Sequence, residues 1–529
     1  MFEKQSGVNP FKDAILDLIL TNGNIITLDP NLQRAETVVI REGKVFAVGG
    51  QESLKGLRRQ ETRAIDCRGN TILPGFIDAH FHLLAFAESL VTLNMESRNQ
   101  VHSISDIQVK IRDVSRKLPS GTWIRERGYH EFSLTEKRHP TRWDLDEATS
   151  THPIKLTHRS GGAHVLNSLA LTLVGISKET GDPPEGLIDR DLETGEPTGL
   201  LYSMGDDLAK NIPPLDQDQM EHGIRLANQE LCSFGITSIH DVSSRNNGER
   251  WDVFQKWKKQ GFVKPRIKMV FGWEGFNDYL KHPFSSSMDE NQLCLGGVKI
   301  IVHETTGKLS PSQEELNERV LCIHRAGFQA VLHAVEENTI EAACGAIEYA
   351  LKHFPRPDHR HRIEHCSVCH PSLAKRIASL GITVVTQPPF IYYNGSRYLR
   401  TVLDPQLKHL YPFGTFMNEG VNVAGSSDCP IVPPNPMIGV YAAVSRKSDL
   451  DEVILPEEKI LPEKALRMYT NEAARAGFDE MAKGSITPGK LADLVVLSAD
   501  PTAVPVDEIK EIEVEMTIVN GEIVWEKGA

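Results

Sequence analysis

Ten residues set the architecture of this chain, Leu73-Pro74-Gly75-Phe76-Ile77-Asp78-Ala79-His80-Phe81-His82. They predict a buried strand that ends in two histidines one residue apart. Side chains at positions i and i+2 of a strand point to the same face, so His80 and His82 can reach one metal ion together. Pro74-Gly75 marks the entry to the strand. A His-x-His pair alone is equally compatible with two surface histidines, so its meaning depends on the rest of the chain.

Length and composition describe a large, acidic, globular protein. Its 529 residues are too many for one compact core and enough for a large barrel plus a smaller domain. The formal net charge of -13 argues against a nucleic-acid partner or an anionic membrane, because phosphate binding needs clustered positive charge. The N-terminus shows no secretory signal, and no stretch approaches the roughly 18 apolar residues of a membrane helix. The eight cysteines form no disulfide framework. We expect a cytoplasmic protein with a small-molecule substrate; a homo-oligomer remains open.

Both ends of the chain predict short β-strands. Residues about 16–72 alternate apolar and polar positions, and Asp17–Leu28 predicts two strands around an Asn-Gly turn. Near the other end, Ala492–Leu497 predicts one strand and Val514–Val524 another Asn-Gly hairpin. The N-terminal β-unit cannot bury both of its faces alone. We therefore infer that the two chain ends form one discontinuous β-sandwich around a central domain.

Between these ends, strand-like apolar runs alternate with helix-like segments. With the opening strand there are eight such runs, the others being Phe234–Asp241, Arg266–Phe271, Gly297–His303, Gln329–His333, Arg362–His365, Thr383–Gln387 and Asn422–Asp428. This alternation predicts an α/β fold, a (β/α)8 TIM barrel. The predicted domains are 1–73 and 484–529 for the two parts of the sandwich and 74–483 for the barrel. A large insert of about 84–215 follows barrel strand 1. It is too long for a βα loop, and we expect it to lie over the mouth of the barrel.

Side chains at the carboxyl ends of barrel strands converge on one mouth. Five candidates lie at such predicted ends: His80, His82, His333, His365 and Asp428. Imidazole and carboxylate ligands suit zinc and other borderline divalent ions. Each residue alone has an ordinary alternative, such as a hydrogen-bonded barrel histidine or a turn aspartate. Their joint placement at the ends of separate strands predicts a metal centre.

Lys299 is a further candidate, in the fourth predicted barrel strand. It stands in an apolar run, where an unpaired ammonium group is costly. One alternative is a lysine whose stem is buried and whose head reaches water. The other is a lysine carbamylated by CO2, whose carboxylate bridges two metal ions. We favour the bridging role; the competing arrangement has a single metal and a cationic Lys299 that touches the substrate or Asp428.

Seven motifs spread over nearly the whole chain resemble those of a known family. They are Pro74–His82, Gly297–Ile300, Leu332–Ala334, Arg362–His365, Gln387–Pro389, Gly425–Pro430 and Gly484–Val495. With them the chain resembles the amidohydrolase superfamily of metal-dependent hydrolases. Within it, the chain is similar to the YtcJ-like (amidohydrolase 3) branch, which includes N-substituted formamide deformylases. The resemblance implies one or two divalent ions, zinc first among them. It also implies a ligand set of His80, His82, His333, His365, Asp428 and a carboxylated Lys299.

Two departures from the branch fall near the presumed pocket. The branch usually has Asp-Gly shortly after the strand-four lysine, and His303-Glu304 stand there in this chain. The insert of the branch usually contains Ser-Gly-His, whereas Ser160–His164 reads Ser-Gly-Gly-Ala-His, so the histidine is displaced. The insert should nevertheless line the substrate pocket, because this fold varies its specificity at the mouth. The candidates there are Trp123, Tyr129 and His164, with a packing role as the alternative for Trp123.

Together these features predict a metal-dependent hydrolase of carbon–nitrogen bonds other than peptide bonds. Its substrate would be an amide, a formamide or a related small molecule. Metal-activated water would attack the substrate carbonyl. Asp428 would take the proton from that water and pass it to the leaving amine. A related barrel isomerase or decarboxylase and a non-catalytic metal-binding regulator are the alternatives.

Overall fold

A computed structural model describes residues 17–58, 61–96, 100–183, 186–281, 292–305 and 307–528. Residue 16, where the predicted N-terminal β-unit begins, lies outside this set. The chain divides into two compact units. One consists of Met1–His82 and Asn228–Ala529, and the other of Leu83–Ala227. Among the described residues, we find no helix with the length and apolar character needed to cross a membrane.

The first unit contains a barrel of eight parallel strands. In chain order β1 to β8 are Phe76–Phe81, Ile236–Asp241, Arg266–Gly272, Leu293–Ile301, Ala330–Ala334, Arg362–His365, Thr383–Thr386 and Asn422–Gly425. Each strand pairs with the next one in sequence. The segment after β8 closes the ring onto β1, because the backbone N–H of Asp428 donates to the carbonyl of His80 at 3.0 Å. The predicted TIM barrel is confirmed.

Helices follow the strands around this barrel, as the alternating pattern predicts. They are Gln217–Ser233, Gly248–Lys259, Trp273–Lys281, Gln313–Arg325, Glu337–His353, Pro371–Ser379, Pro389–Thr401, Phe413–Asn418, Pro436–Ser445, Pro462–Met468 and Asn471–Ala476. Several begin at a side-chain cap, such as Asn247 and Ser312, whose oxygens accept the backbone N–H three residues on. The last of them, Asn471–Ala476, packs against β1, β7 and β8.

Strands from both chain ends form the predicted discontinuous β-sandwich. One sheet of six strands contains, in spatial order, Glu522–Glu526, Val514–Val519, Leu494–Leu497, Thr71–Pro74, Asn24–Asp29 and Leu32–Ala35. The other has four strands, in the order Lys44–Gly49, Thr37–Arg41, Leu18–Thr21 and Arg63–Asp66. One apolar cluster joins them and includes Leu20, Val38, Ile72, Leu494 and Ile518. The strand of the opening stretch is divided at Gly75, since Thr71–Pro74 belongs to the sandwich and β1 to the barrel.

The second unit, the insert, has its own mixed six-stranded sheet. Its strands in spatial order are Leu187–Arg190, Pro197–Tyr202, Ala163–Leu166, Ile154–His158, Ile124–Tyr129 and Leu93–Asn94. Its main helices are Leu83–Leu90, Ile104–Ser115, Arg142–Asp146, Ser168–Val174 and Gly205–Asn211. An apolar core that includes Ile107, Ile124, Leu145 and Leu156 is completely buried in this unit. The residues of this unit therefore have a sheet and an apolar core of their own.

Candidate metal centre

The carboxyl ends of four barrel strands bring the predicted ligands together. His80 lies near the end of β1, and its Nε2 is 3.4 Å from Oδ1 of Asp428. His82 follows β1, and its Nε2 is 3.1 Å from the same oxygen. Candidate ligand atoms of His80, His365 and Asp428 all lie within 4.8 Å of one another. The ring of His333, on β5, is centred 4.4 Å from that of His365. Two imidazoles and a carboxylate at this spacing fit a borderline divalent ion.

Two of these residues adopt a backbone conformation that side chains rarely take. His365 has φ of 69° and Asp428 has φ of 57°, both in the left-handed region. Such residues cluster at functional sites, where the surrounding structure holds them in place. Around Asp428, the carboxylate of buried Asp78 accepts hydrogen bonds from the backbone N–H and the hydroxyl of Ser427. This contact joins β1 to the segment after β8 and positions Asp428 beside His80.

A buried glutamate sets the tautomer of His80. Nδ1 of His80 hydrogen-bonds to Oε2 of Glu364, and Nε2 is the nitrogen that faces Asp428. Arg362 donates in turn to Glu364, from Nε at 2.5 Å and from Nη2 at 3.0 Å. Because the carboxylate accepts the Nδ1 hydrogen, Nε2 keeps its lone pair for a metal ion. A carboxylate behind a metal-binding histidine is a common device for fixing the ring.

Two further histidines of the cluster, His365 and His82, are oriented in the same way. Nδ1 of His365 donates to the side-chain carbonyl of Gln387 at 2.9 Å, and Gln387 donates to Ser426 at 3.1 Å. Nδ1 of His82 lies 3.0 Å from the hydroxyl of Ser243. In each case the second ring nitrogen is left for a ligand role. All three rings can thus present Nε2 to one centre.

Lys299 lies on β4 and is buried. Its ammonium nitrogen is buried and has no hydrogen-bond partner among the described residues. Burial lowers the pKa of Lys299 to about 8, and the carboxylates of Glu364 and Asp428 oppose that shift. The same lysine interacts electrostatically with His80, His333 and His365. An unpartnered amine beside metal-ligand candidates is chemically suited to carbamylation.

The protonation states of the cluster favour metal binding. Burial lowers the pKa of His80, of His333 and of His365, so these rings are neutral near pH 7. Burial alone would raise the pKa of Asp428, but His80 and the neighbouring imidazoles lower it to about 2. Neutral imidazoles and an ionised carboxylate are the forms in which these side chains bind metals.

The sequence profile of the amidohydrolase family matches residues 63–525, which is most of the chain. The chain belongs to the amidohydrolase family. This amidohydrolase is therefore a metal-dependent hydrolase that acts on carbon–nitrogen bonds other than peptide bonds. The recognition made from the sequence motifs is confirmed.

Relatives of this amidohydrolase match over nearly its whole length. It is 28% identical to YtcJ of Bacillus subtilis strain 168, over 96% of this chain and 98% of that protein. It is also 28% identical to N-substituted formamide deformylase of Arthrobacter pascens, over 97% of this chain and 98% of that enzyme. A solved metal-dependent hydrolase from Pyrococcus horikoshii OT3 has the same fold. The superposition has a TM-score of 0.75 at 22% sequence identity. It covers 93% of this chain and 99% of the Pyrococcus chain.

The sequence analysis did not identify the residues that hydrogen-bond to the candidate ligands. Glu364, Gln387 and Ser243 were not predicted to have a role at the site. One signal for Glu364 was available, because Arg362 and Glu364 stand two residues apart on a buried strand. Two opposite charges on the same face of such a strand indicate an internal ion pair. Which histidine this pair would support could not be predicted, because that depends on contacts across the barrel.

The three predicted substrate-pocket residues of the amidohydrolase all lie in the insert. Tyr129 is completely buried, and its hydroxyl lies 2.9 Å from Nδ1 of His139. His164 is buried, which lowers its pKa to about 3, and its Nδ1 lies 3.2 Å from the hydroxyl of Thr157. Trp123 packs against an apolar cluster of the insert that includes Leu166. Their role in substrate binding stays a prediction.

Proposed function

We propose that this amidohydrolase hydrolyses a small-molecule amide or formamide at a zinc centre at the carboxyl end of its barrel. The observation that carries the proposal is the convergence of His80, His82, His365 and Asp428 from three separate strand ends. The relationship to N-substituted formamide deformylase supports the choice of substrate class. The proposed catalyst is cytoplasmic and uses no nucleic-acid or membrane partner.

Six residues are proposed as metal ligands. His80, His82 and Asp428 would hold one ion, and His333 and His365 a second. A carbamate on Lys299 would lie between the two groups and supply one oxygen to each. When bound, the ions supply Lewis-acid polarisation of the substrate carbonyl and activation of water. The buried, unpartnered amine of Lys299 supports the carbamate, since an ammonium there would repel both cations.

Asp428 is the proposed catalytic acid–base. Its Oδ1 lies 3.1 Å from Nε2 of His82, at the centre of the ligand group. In its ionised form this carboxylate can accept the proton of the attacking water. It then donates that proton to the leaving nitrogen, which departs as a neutral amine. The main-chain contact from Asp428 N–H to the His80 carbonyl holds the carboxylate in place for both transfers.

Glu364 and Arg362 keep His80 oriented during the reaction. Glu364 accepts the Nδ1 hydrogen of His80 and itself receives two hydrogen bonds from Arg362. Trp123, Tyr129 and His164 are proposed to contact the substrate from the insert. If His164 has this role, His164→Ala changes the kinetic constants for the true substrate; unchanged constants would exclude it.

Turnover on a panel of amides and formamides tests the proposed reaction. The holoenzyme should release amine from at least one of them, and removal of metal with a chelator should abolish release until zinc is restored. The double variant His80→Ala/His82→Ala should lose bound metal and activity while it keeps the circular dichroism of the folded barrel. Full metal content in this variant would contradict the ligand assignment.

A separate measurement tests Lys299. Protein prepared with bicarbonate should contain two metal ions at the barrel site, and Lys299→Ala should lose one of them. A short carboxylic acid such as propionate should restore part of the second metal and of the turnover to Lys299→Ala, because it replaces the carbamate. One barrel-site ion in the wild type, with an unmodified Lys299 in a high-resolution map, would overturn the bridging role.

A further inference from the structure

The insert contains a second group of metal-ligand residues. His130 follows the strand Ile124–Tyr129, Glu131 begins the next helical turn, and His158 ends the strand Ile154–His158. These two strands are parallel neighbours, and Tyr129 is paired in register with His158. The pairing places the carboxyl ends of both strands side by side. Candidate ligand atoms of His130, Glu131 and His158 all lie within 4.8 Å of one another.

We propose that His130, Glu131 and His158 form a binding site for a divalent metal ion of the zinc type, with a ligand set that shares no residue with the barrel centre. Two imidazoles and one glutamate are a ligand set that zinc accepts, and with three protein ligands a fourth position stays open for water or another donor. The proposal does not depend on the proposed function of the barrel centre.

The contact between His158 and Glu131 gives the strongest support for this metal site. Nε2 of His158 is 2.8 Å from Oε2 of Glu131. Both atoms are buried, and among the described residues neither has a hydrogen-bond partner other than this contact. The two atoms form an ion pair only when His158 carries a proton, and a metal ion can take the place of that proton. A cation between them would satisfy both.

Ser160 orients the ring of His158. Its hydroxyl lies 2.7 Å from Nδ1 of His158 and can accept the Nδ1 hydrogen, which leaves the Nε2 lone pair for a metal ion. The backbone N–H of Ser160 approaches the same nitrogen at 3.1 Å, and it would favour the opposite tautomer. Because a backbone N–H can only donate, the hydrogen of a neutral His158 ring without metal lies on Nε2, facing Glu131. A metal ion at Nε2 would displace that hydrogen, and the Ser160 hydroxyl can accept the hydrogen that the ring then carries on Nδ1.

Other side chains enclose the group. The ring of His139 is centred 5.7 Å from that of His158, and the ring of Tyr129 is centred 5.2 Å from it. His139 is held by the hydroxyl of Tyr129 at 2.9 Å. His158, which lowers the pKa of Glu131 to about 2 against the effect of burial, keeps this carboxylate ionised. An ionised carboxylate beside two imidazole rings attracts a cation.

Metal counting on the full-length protein tests the proposal. Metal-free His80→Ala/His82→Ala protein, in which one barrel ion has lost two of its proposed ligands, should still take up one equivalent of zinc at the insert. Addition of Glu131→Gln or of His158→Asn to this background should remove that equivalent. His102→Asn, which changes an exposed histidine of the same unit, is the matched control and should retain it.

The position of the ion gives a second readout. Crystals soaked in zinc should show an anomalous scattering peak between His130, Glu131 and His158. Glu131→Gln keeps the size and shape of the side chain, and circular dichroism will show that the variant is folded. Equal zinc uptake by the Glu131→Gln and parent proteins, or no anomalous peak at the three residues, would overturn the site. A barrel centre that binds no metal beside an insert that does would contradict only the proposed function.

Discussion

At the scale of single residues, the carboxylate of Asp428 has the largest expected effect. Asp428→Asn keeps the shape of the side chain and one ligand oxygen but cannot accept a proton. We expect turnover to fall by at least about 100-fold, the lower range of what acid–base groups contribute, while part of the metal is retained. Steady-state kinetics with metal analysis on the same sample is the measurement. Near-normal turnover at a normal metal load would exclude the role.

Glu364 gives a second prediction at this scale. Glu364→Gln removes the charge behind His80 but leaves an oxygen that can still accept the Nδ1 hydrogen. Partners of metal-binding histidines typically affect metal affinity by about 10–100-fold, and we expect a loss in that range. Titration of the metal-free protein with zinc measures it. Glu419→Gln, at an exposed position, is the control and should bind as the wild type does.

Candidate ligands could be predicted from the sequence, but the residues that hydrogen-bond to them could not. His333 and His365 could be placed because each ends an apolar run, and strand ends of a barrel share one mouth. Gln387 could not be paired with His365, because their contact joins the ends of two neighbouring strands and depends on side-chain directions. The left-handed backbone conformation of Asp428 could not be predicted from the sequence either, since aspartate adopts that conformation only where its surroundings impose it.

At the scale of elements, a chain of buried histidines links β5, β6 and their helices. Nδ1 of His361 accepts the backbone N–H of Ala330 at 2.8 Å, so its Nε2–H donates to Nδ1 of His324 at 2.8 Å. His324 then donates to the carbonyl of Phe354 at 2.6 Å. Both rings must be neutral for this chain to form. Burial lowers the pKa of His361 and of His324, and the nearby Arg356 acts in the same direction.

These hydrogen-bonded histidines should make the free energy of unfolding depend on pH. Below about pH 6.5 the unfolded protein binds protons at these histidines and the native protein does not. The contribution of the two histidines to the free energy of unfolding is therefore fully present above that pH and decreases as the pH falls below it. Urea unfolding between pH 5 and 8 should show a weaker pH dependence for His361→Asn than for the wild type. His222→Asn, at an exposed helix position, should keep the wild-type dependence, and equal slopes for His361→Asn would contradict the role.

Two Asn-Gly turns show what local sequence can and cannot predict. Asn520-Gly521 joins Val514–Val519 to Glu522–Glu526 in an antiparallel hairpin, as predicted. The strands on either side of Asn22-Gly23 also form, but Leu18–Thr21 and Asn24–Asp29 enter different sheets. The Gly23 N–H donates instead to the carbonyl of Glu36. Both turns have the same residues, and packing between the sheets decides which of them becomes a hairpin.

At the scale of the whole chain, one buried ion pair joins the barrel to the C-terminal strands. Nε of Arg266, at the start of β3, lies 2.6 Å from Asp493, and both side chains are almost fully buried. Asp493 also accepts the backbone N–H of Asn520 at 2.8 Å. Asp493→Ala removes the carboxylate that compensates the guanidinium. We expect the free energy of unfolding to fall by about 3–5 kcal/mol, as for other broken buried pairs.

Urea denaturation measures that change, and a surface pair provides the control. Arg467 and Glu463 form an exposed bridge one helical turn apart, and such pairs contribute little. Glu463→Ala should leave the unfolding midpoint almost unchanged. A comparably small shift for Asp493→Ala would show that water or relaxation compensates the arginine.

The central strand of the sandwich fixes the order in which its sheet can form during protein synthesis. Thr71–Pro74 pairs with Asn24–Asp29 on one side and with Leu494–Leu497 on the other. The first partner leaves the ribosome early, while the second follows only after the entire barrel has been made, which takes tens of seconds at ordinary rates of synthesis. During that interval one edge of Thr71–Pro74 is an open template for other nascent chains. Premature termination anywhere before Leu494 would make that edge permanent, so truncated products should aggregate even when their barrel sequence is complete.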